Sequence, residues 1–419
     1  MSTILFKGAT VIDGTGRKPV PNQSVVVEGD RIAYVGSEGD VAVDVLKRAQ
    51  VVDVSGKYLT PGLMNHHDHL DNRRQSSSFQ SRAALPPVTL ALRGVHNALL
   101  SLLEGVTTIR DLGGKGQGGI HLRDGINAGQ FPGPRVFACG QPLVMTGGHA
   151  WQVGRVADGE EEVRRAAREQ LKLGADFVKL MASGGYVTQG TDEPFSPQYS
   201  LGELRAAIEE AHDANRLTTV HAHPGVAVRR AIEAGVDCIE HGALLDKEAA
   251  ELMAEKGIYL VPTLSESWII GYRGHEVGRP QWLIDASKGH LAERMGHFKH
   301  AVRAGVKMAV GTDVIGEMVD EMRLMAAGGL SNMEVIQCAT KNGADLLGLQ
   351  DDLGTVEVGK LADLAIMDSD PVNDLGAFSD VRLTVKGGSI YDVEAIIRNL
   401  DLTIKRPREL RPEEIAATA

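Results

Sequence analysis

LTPGLMNHHDHLDN, residues 59–72, carries a short apolar run and a Pro-Gly into three histidines and two aspartates within seven positions. Side chains alternate along a strand, so His67 and His69 share one face and His66 points to the other. A single histidine here reads as a core hydrogen-bonding residue. A same-face pair at a strand end reads as part of a metal site, provided further ligands follow downstream.

Seven more segments of this kind follow: GVTTIRDLG (105–113), RVFACGQPL (135–143), ADFVKLMAS (175–183), LTTVHAHP (217–224), CIEHGA (238–243), YLVPTL (259–264) and KMAVGTDV (307–314). Amphipathic stretches such as EEEVRRAAREQLKLG (160–174), SLGELRAAIEEAHDAN (200–215) and DKEAAELMAEKG (246–257) separate them. Eight strand-helix alternations predict an α/β fold with a parallel sheet closed as a (β/α)8, TIM-like barrel. A doubly wound open sheet is the alternative, but no G-x-G-x-x-G opens a helix after the first strand. Ser200 followed by Glu203 predicts an N-terminal capping box, and Gly174, Gly235, Gly257 and Gly305 are expected to end helices.

The two ends read differently. ILFKGATVIDGTG, QSVVVEGDRIAYVGS and QVVDVSGKYLT near the start, and LGTVEVGKLADLAIMD and DVRLTVKGGSIYDV near the finish, are short β-branched runs punctuated by Gly and Asp-Gly. The expectation is a small β-sandwich domain built from both termini, residues 1–57 and 353–419, around a metal-binding barrel over residues 58–352.

Composition narrows the function. With 419 residues, 43% apolar and 24% charged, the chain is that of an ordinary globular protein. No apolar run approaches the roughly 18 residues of a membrane helix, and the N-terminus lacks a secretory pattern, so a cytoplasmic protein with no membrane partner is expected. The balance of 44 basic against 55 acidic residues has the wrong sign for a nucleic-acid binder. Cys139, Cys238 and Cys338 are odd in number and far apart, which argues against a disulfide framework or a cysteine zinc site.

In such barrels the chemistry sits at the C-terminal strand ends. There the sequence carries His67-Asp68-His69 on the first strand, Lys179 on the fourth, His221 and His223 on the fifth, His241 on the sixth and Asp313 on the eighth. Each alone has an ordinary structural role; together, neutral imidazoles and carboxylate suit a zinc-like divalent metal with an open water position. Lys179 cannot ligate as an ammonium, but a buried amine has a depressed pKa and is nucleophilic.

These residues, with VIDGTG, PGLMNHHDHL, GVTTIRDLGG, GPRVFACGQPLVMTGGHA, GADFVKLMASGG, GVDCIEHG and the closing LGTVEVGKLADLAIMD, resemble the amidohydrolase superfamily over nearly the whole chain. The likeness is to its binuclear Xaa-Pro dipeptidase and carboxypeptidase-like branch, often labelled imidazolonepropionase-like. It implies His67, His69 and Asp313 on one metal and His221 and His241 on the other. Lys179, carboxylated by CO2, would bridge two divalent ions, with Zn2+ the default. It further implies a bridging hydroxide as nucleophile and Asp313 as the catalytic acid-base group. Deaminases and imidazolonepropionases are similar but carry His-x-x-Glu here, whereas His221 is followed by Ala222, His223 and Pro224.

The same resemblance makes His149, in TGGH, a substrate contact, and alternation places His223 beside His221 and one step further out. Tyr186, Trp151 and Trp268 are weaker pocket candidates, and residues 188–200 a candidate lid. The expected function is hydrolysis of an amide bond in a dipeptide or N-acyl amino acid by a homo-oligomeric hydrolase. A non-peptide amide, carbamate or urea is the alternative substrate, and a catalytically silent scaffold the alternative of another class.

Overall fold

A computed structural model describes residues 2–72, 78–186, 193–400 and 410–416. The chain divides into two compact units. One comprises Met1–Asn65, Ala98–Thr108 and Ser331–Arg408; the other comprises His66–Asn97, Ile109–Leu330 and Glu409–Ala419. Residues 58–65, 98–108 and 331–352, expected in the barrel, thus lie in the unit that holds both strand-rich ends.

The strands, in chain order, are β1 Thr3–Val11, β2 Val20–Glu28, β3 Arg31–Ser37, β4 Gln50–Asp53, β5 Tyr58–Pro61, β6 Leu63–Asp68, β7 Val106–Asp111, β8 Arg135–Ala138 and β9 Leu143–Val144. They continue as β10 Arg155–Val156, β11 Phe177–Met181, β12 Leu217–Pro224, β13 Cys238–Leu244, β14 Tyr259–Val261, β15 Lys307–Met308, β16 Leu364–Met367, β17 Val381–Lys386 and β18 Ser389–Asp392.

In the first unit both ends of the chain join one eight-stranded sheet, ordered β18-β17-β16-β5-β1-β2-β3 with β4 also paired to β1. Its seam is β5 against β16, antiparallel, with Pro61 opposite Leu364 and Leu59 opposite Ile366. The alternation of the end segments appears as a core of Phe6, Val25, Val27, Leu59, Leu364, Ile366 and Val385. Burying such β-branched faces is what draws the two distant segments together.

The second unit is the alternating one. β10-β9-β11-β12-β13-β14-β15 form a parallel sheet; β6-β7-β8, whose first residues 63–65 and 106–108 belong to the first unit, form a separate three-stranded sheet. All six residues of β6, all six of β7 and all five of β11 are buried, as strands covered on both faces require. Each of the eight expected strand segments carries a strand, the last reduced to Lys307–Met308. The helices end as expected: Ser200 and Glu203 form the reciprocal capping box, and Gly235, Gly257 and Gly305 close helices in the left-handed conformation. Among the described residues no helix is long and apolar enough to cross a membrane.

Candidate active site

The strand ends of the second unit converge on a cavity of about 410 Å3. His67, His69, His149, Lys179, His221, His223, His241 and Asp313 all line it, so every candidate site residue is brought to one place. His66 is turned away from them: it is buried, neither ring nitrogen has a hydrogen-bond partner among the described residues, and burial pushes its pKa down to about 3.

His67, His69 and Asp313 each aim one ligand atom at a common point, the three atoms lying within 4.8 Å of one another. Asp313 Oδ1 is 3.5 Å from His69 Nε2 and 3.8 Å from His67 Nε2. Asp313 and His67 are also tied by backbone, since the Asp313 N–H donates to the His67 carbonyl at 2.8 Å. On the other side, the His221 and His241 rings lie 4.6 Å apart, and His241 is 4.8 Å from His67, so the imidazoles form a continuous cluster. Burial is the main cause that holds His69, His221 and His241 neutral, with the pKa of His69 near 3 and those of His221 and His241 well below the ordinary histidine value. Neutral rings keep a lone pair for a cation.

Lys179 is buried in β11, and burial lowers its pKa toward the free amine, against the opposing charge of Glu240. Burial alone would raise the pKa of Asp313, but His67 and His69 outweigh it and keep the carboxylate ionised. Its neighbour Glu266 is pushed the other way, by burial first and then by the Asp313 charge.

Three residues at these strand ends hold strained backbone. His241, Thr263 and Asp313 have φ of 71°, 47° and 60°, a region that favours glycine. Such conformations cost about 1–3 kcal/mol each and persist only where the surroundings enforce them, which is characteristic of functional sites.

The substrate side of the cavity mixes ring edges and apolar surface. His149 stacks on His221, with centroids 4.4 Å apart and planes 20° apart. Gly185 makes room for that ring, because a Cβ there would fall 2.2 Å from His149 Cε1. His223 stands between His221, His241 and Tyr186 at 4.6, 5.1 and 5.0 Å. Tyr186 lines the cavity as expected, but Trp151 is 47% exposed and Trp268 is wholly buried, and neither lines it. Of the candidate lid, residues 188–192 lie outside the described residues.

Several groups carry no clear mark in the sequence. Glu240, fully buried in β13, accepts from Arg110 at 2.9 Å and sits 2.7 Å from His67 Nδ1; Thr219 also donates to it. Arg110, on β7, thus pairs with Glu240 of β13 in the other sheet and not with the adjacent Asp111, whose oxygens accept from the Leu70 and Gly113 N–H groups. An acid inside the apolar run DCIEHGA is the one signal that could have found Glu240. Glu266, Arg279, Trp282 and Arg294 reach the cavity from helices Leu264–Arg273 and Gln281–Ala304 and the turn between them. No periodicity marks them out.

Residues 58–391 match the family model described as Amidohydrolase family. An ochratoxinase of Aspergillus niger is 32% identical over 425 residues, covering 93% of this chain and 86% of that protein. The crystal structure of a Xaa-Pro dipeptidase with methionine bound in its active site matches with a TM-score of 0.86 at 32% identity, covering 93% of this chain and all of the other. A prolidase complexed with N-methylphosphonate-L-proline gives 0.86 at 33% identity with the same coverage. The chain is a hydrolase and belongs to the amidohydrolase family.

Proposed function

We propose that this amidohydrolase cleaves the amide bond of a dipeptide or N-acyl amino acid at a centre for two divalent ions. The observation that carries the reading is the convergence of His67, His69 and Asp313 on one point of the cavity wall. In this reading His67, His69 and Asp313 hold one ion and His221 and His241 the other. Lys179 would supply further ligand oxygens once its amine has added to CO2, forming the N–C bond of a carbamate and releasing one proton. The donor set fits: the imidazoles of His69, His221 and His241 are neutral, Asp313 is ionised and Lys179 tends to the free amine. Imidazole and carboxylate oxygen with hydrolytic chemistry favour zinc.

Divalent ions held there supply Lewis-acid polarisation of the scissile carbonyl and acidify a water. Asp313 takes up the proton of the attacking water at a carboxylate oxygen and delivers it to the departing amine nitrogen. His149 and His223, on the open side of the cluster, orient the substrate through its carbonyl or carboxylate oxygens. The buried surroundings exclude competing water and strengthen each of these contacts.

The same reading takes the strands of the second unit as one closed (β/α)8 barrel. Bonds from His66 N to Val310 O and from Asp176 N to Ala138 O, both within 2.9 Å, support closure at the two gaps between its sheets. The end segments, residues 1–57 and 353–419, are read as the companion β-sandwich.

A second substrate class is favoured by one feature. Phe79, Ile270, Trp282 and Leu283 give the cavity an apolar wall suited to an aromatic, non-peptide amide, and one relative is named for ochratoxin. A panel of Xaa-Pro, basic and hydrophobic dipeptides, N-acyl amino acids and aryl amides tests both. Turnover confined to peptides supports the first class, turnover confined to aryl amides the second, and failure of the zinc-loaded protein on the whole panel contradicts the hydrolytic reading of this site.

A further inference from the structure

Thr263 and Arg294 stand outside the set of residues that would hold the ions, yet they determine how His241 is presented to it. Thr263 follows β14 with φ 47° and ψ 45°, a conformation that a β-branched residue adopts only under constraint. The constraint is visible. Arg294, buried on the helix Gln281–Ala304, donates from Nη2 to the Pro262 carbonyl at 2.9 Å, to the Thr263 carbonyl at 3.0 Å and to Thr263 Oγ1 at 3.3 Å. Nη1 of the same guanidinium donates to Ser267 Oγ, pinning the next turn as well. Thr263 Oγ1, held in this way, lies 2.6 Å from His241 Nδ1.

We propose that Arg294 and Thr263 form a positioning relay that fixes the tautomer and ring orientation of His241. Arginine is always protonated, so Arg294 only donates and occupies one lone pair of Thr263 Oγ1; the relay gives the other lone pair to the imidazole. The His241 proton then resides on Nδ1 and is donated to Thr263 Oγ1, leaving the Nε2 lone pair bare for a divalent cation. This is the function that a carboxylate or carbonyl usually serves behind a ligating histidine. Here a hydroxyl takes the place, and a guanidinium anchored to the two neighbouring carbonyl oxygens keeps the hydroxyl from rotating away. The left-handed backbone of Thr263 is the strain this arrangement has to hold. His241 itself is strained at φ 71°, so its ring has little freedom to recover the geometry once the hydroxyl is lost.

The relay rests on the reading of His241 as a ligand, and the two can be separated. Thr263→Val keeps the shape and the Arg294 bonds to the backbone carbonyls but removes Oγ1. Zinc retained per chain against a graded chelator, read on the full-length protein, should fall about 10-fold or more in affinity for one of two ions. Thr263→Ser, which restores the hydroxyl, should recover zinc retention to within about threefold of wild type, on the same scale of effect. Arg294→Met should move zinc retention in the same direction, and combining it with Thr263→Val should add little, because both act through one hydroxyl. Arg294→Met removes backbone clamps too; should it fail to fold, the valine and serine variants decide the question. Wild-type zinc retention in Thr263→Val, or equal losses in Thr263→Val and Thr263→Ser, would overturn the relay. Loss of zinc in His241→Ala with none in Thr263→Val would leave His241 a ligand and the relay wrong. Full zinc retention in His241→Ala would overturn both the relay and the ligand assignment.

Discussion

Glu240 Oε2, on β13, lies 2.7 Å from His67 Nδ1 of β6 in a fully buried contact between strands of two sheets, and Arg110 closes the other side of the carboxylate at 2.9 Å. Burial alone would raise the pKa of Glu240. Arg110 and then His67 outweigh it and hold the group ionised. The carboxylate therefore takes the Nδ1 proton of His67 as a hydrogen bond and directs Nε2 toward Asp313. A strand position that faces neither solvent nor substrate thus governs a residue that faces both His69 and Asp313.

Glu240→Gln keeps the size of the side chain and removes its charge. The expected outcome is a drop of about 10–100-fold in metal affinity or kcat/KM, measured by chelator competition and turnover, with the fold retained by circular dichroism. Removing the carboxylate altogether in Glu240→Ala strands Arg110 as a buried, uncompensated cation. Stability should then fall by about 3–5 kcal/mol in denaturant unfolding.

Asp313→Asn should preserve the fold and lower kcat by about 10²–10⁴-fold, the usual contribution of a general acid-base group. Asparagine can still accept hydrogen bonds but cannot carry the proton to the leaving amine. Wild-type turnover in this variant would remove Asp313 from the reaction.

Lys179→Ala should lose bound metal and activity together. Small carboxylic acids should restore part of both, because they return the anionic oxygens that the carbamate provides. A variant that keeps all its metal and rate would show that Lys179 bridges nothing.

Gly185→Ala tests the placement of His149, which stacks on His221 of the cluster. The new Cβ would overlap the imidazole, so the ring must move, at about 1–3 kcal/mol of packing strain. If His149 orients substrate, KM should rise while metal content stays at the wild-type level. An unchanged KM would leave the ring a packing residue.

The cluster is legible in the sequence because strand alternation is a strict rule. Spacing alone assigns His67 and His69 to one face, and the same rule sets His221 with His223 and turns His66 away. Exits of parallel strands are also predictable, which is why VGTDV and IEHG suffice to place Asp313 and His241. Glu240 escapes because its partners, Arg110 and His67, lie 130 and 173 residues away, and only the tertiary packing of strands from two sheets brings them together. The wall formed by Glu266, Arg279, Trp282 and Arg294 escapes for a different reason. Its residues come from two helices after β14 and their connecting turn, whose apolar and polar positions fit an ordinary packed helix equally well. Trp151 and Trp268 illustrate the converse: aromatic identity and nearness to a strand end do not say which way a side chain points.

A two-ion hydrolytic centre is tested most directly by metal content per chain, on protein purified without chelator, followed through stepwise chelation while amide hydrolysis is recorded. About two divalent ions per chain, with turnover lost as they leave and regained when zinc and bicarbonate are restored, is the predicted result. Metal-free protein that stays inert after zinc and bicarbonate are supplied, or full turnover after every ion has been removed, would contradict it.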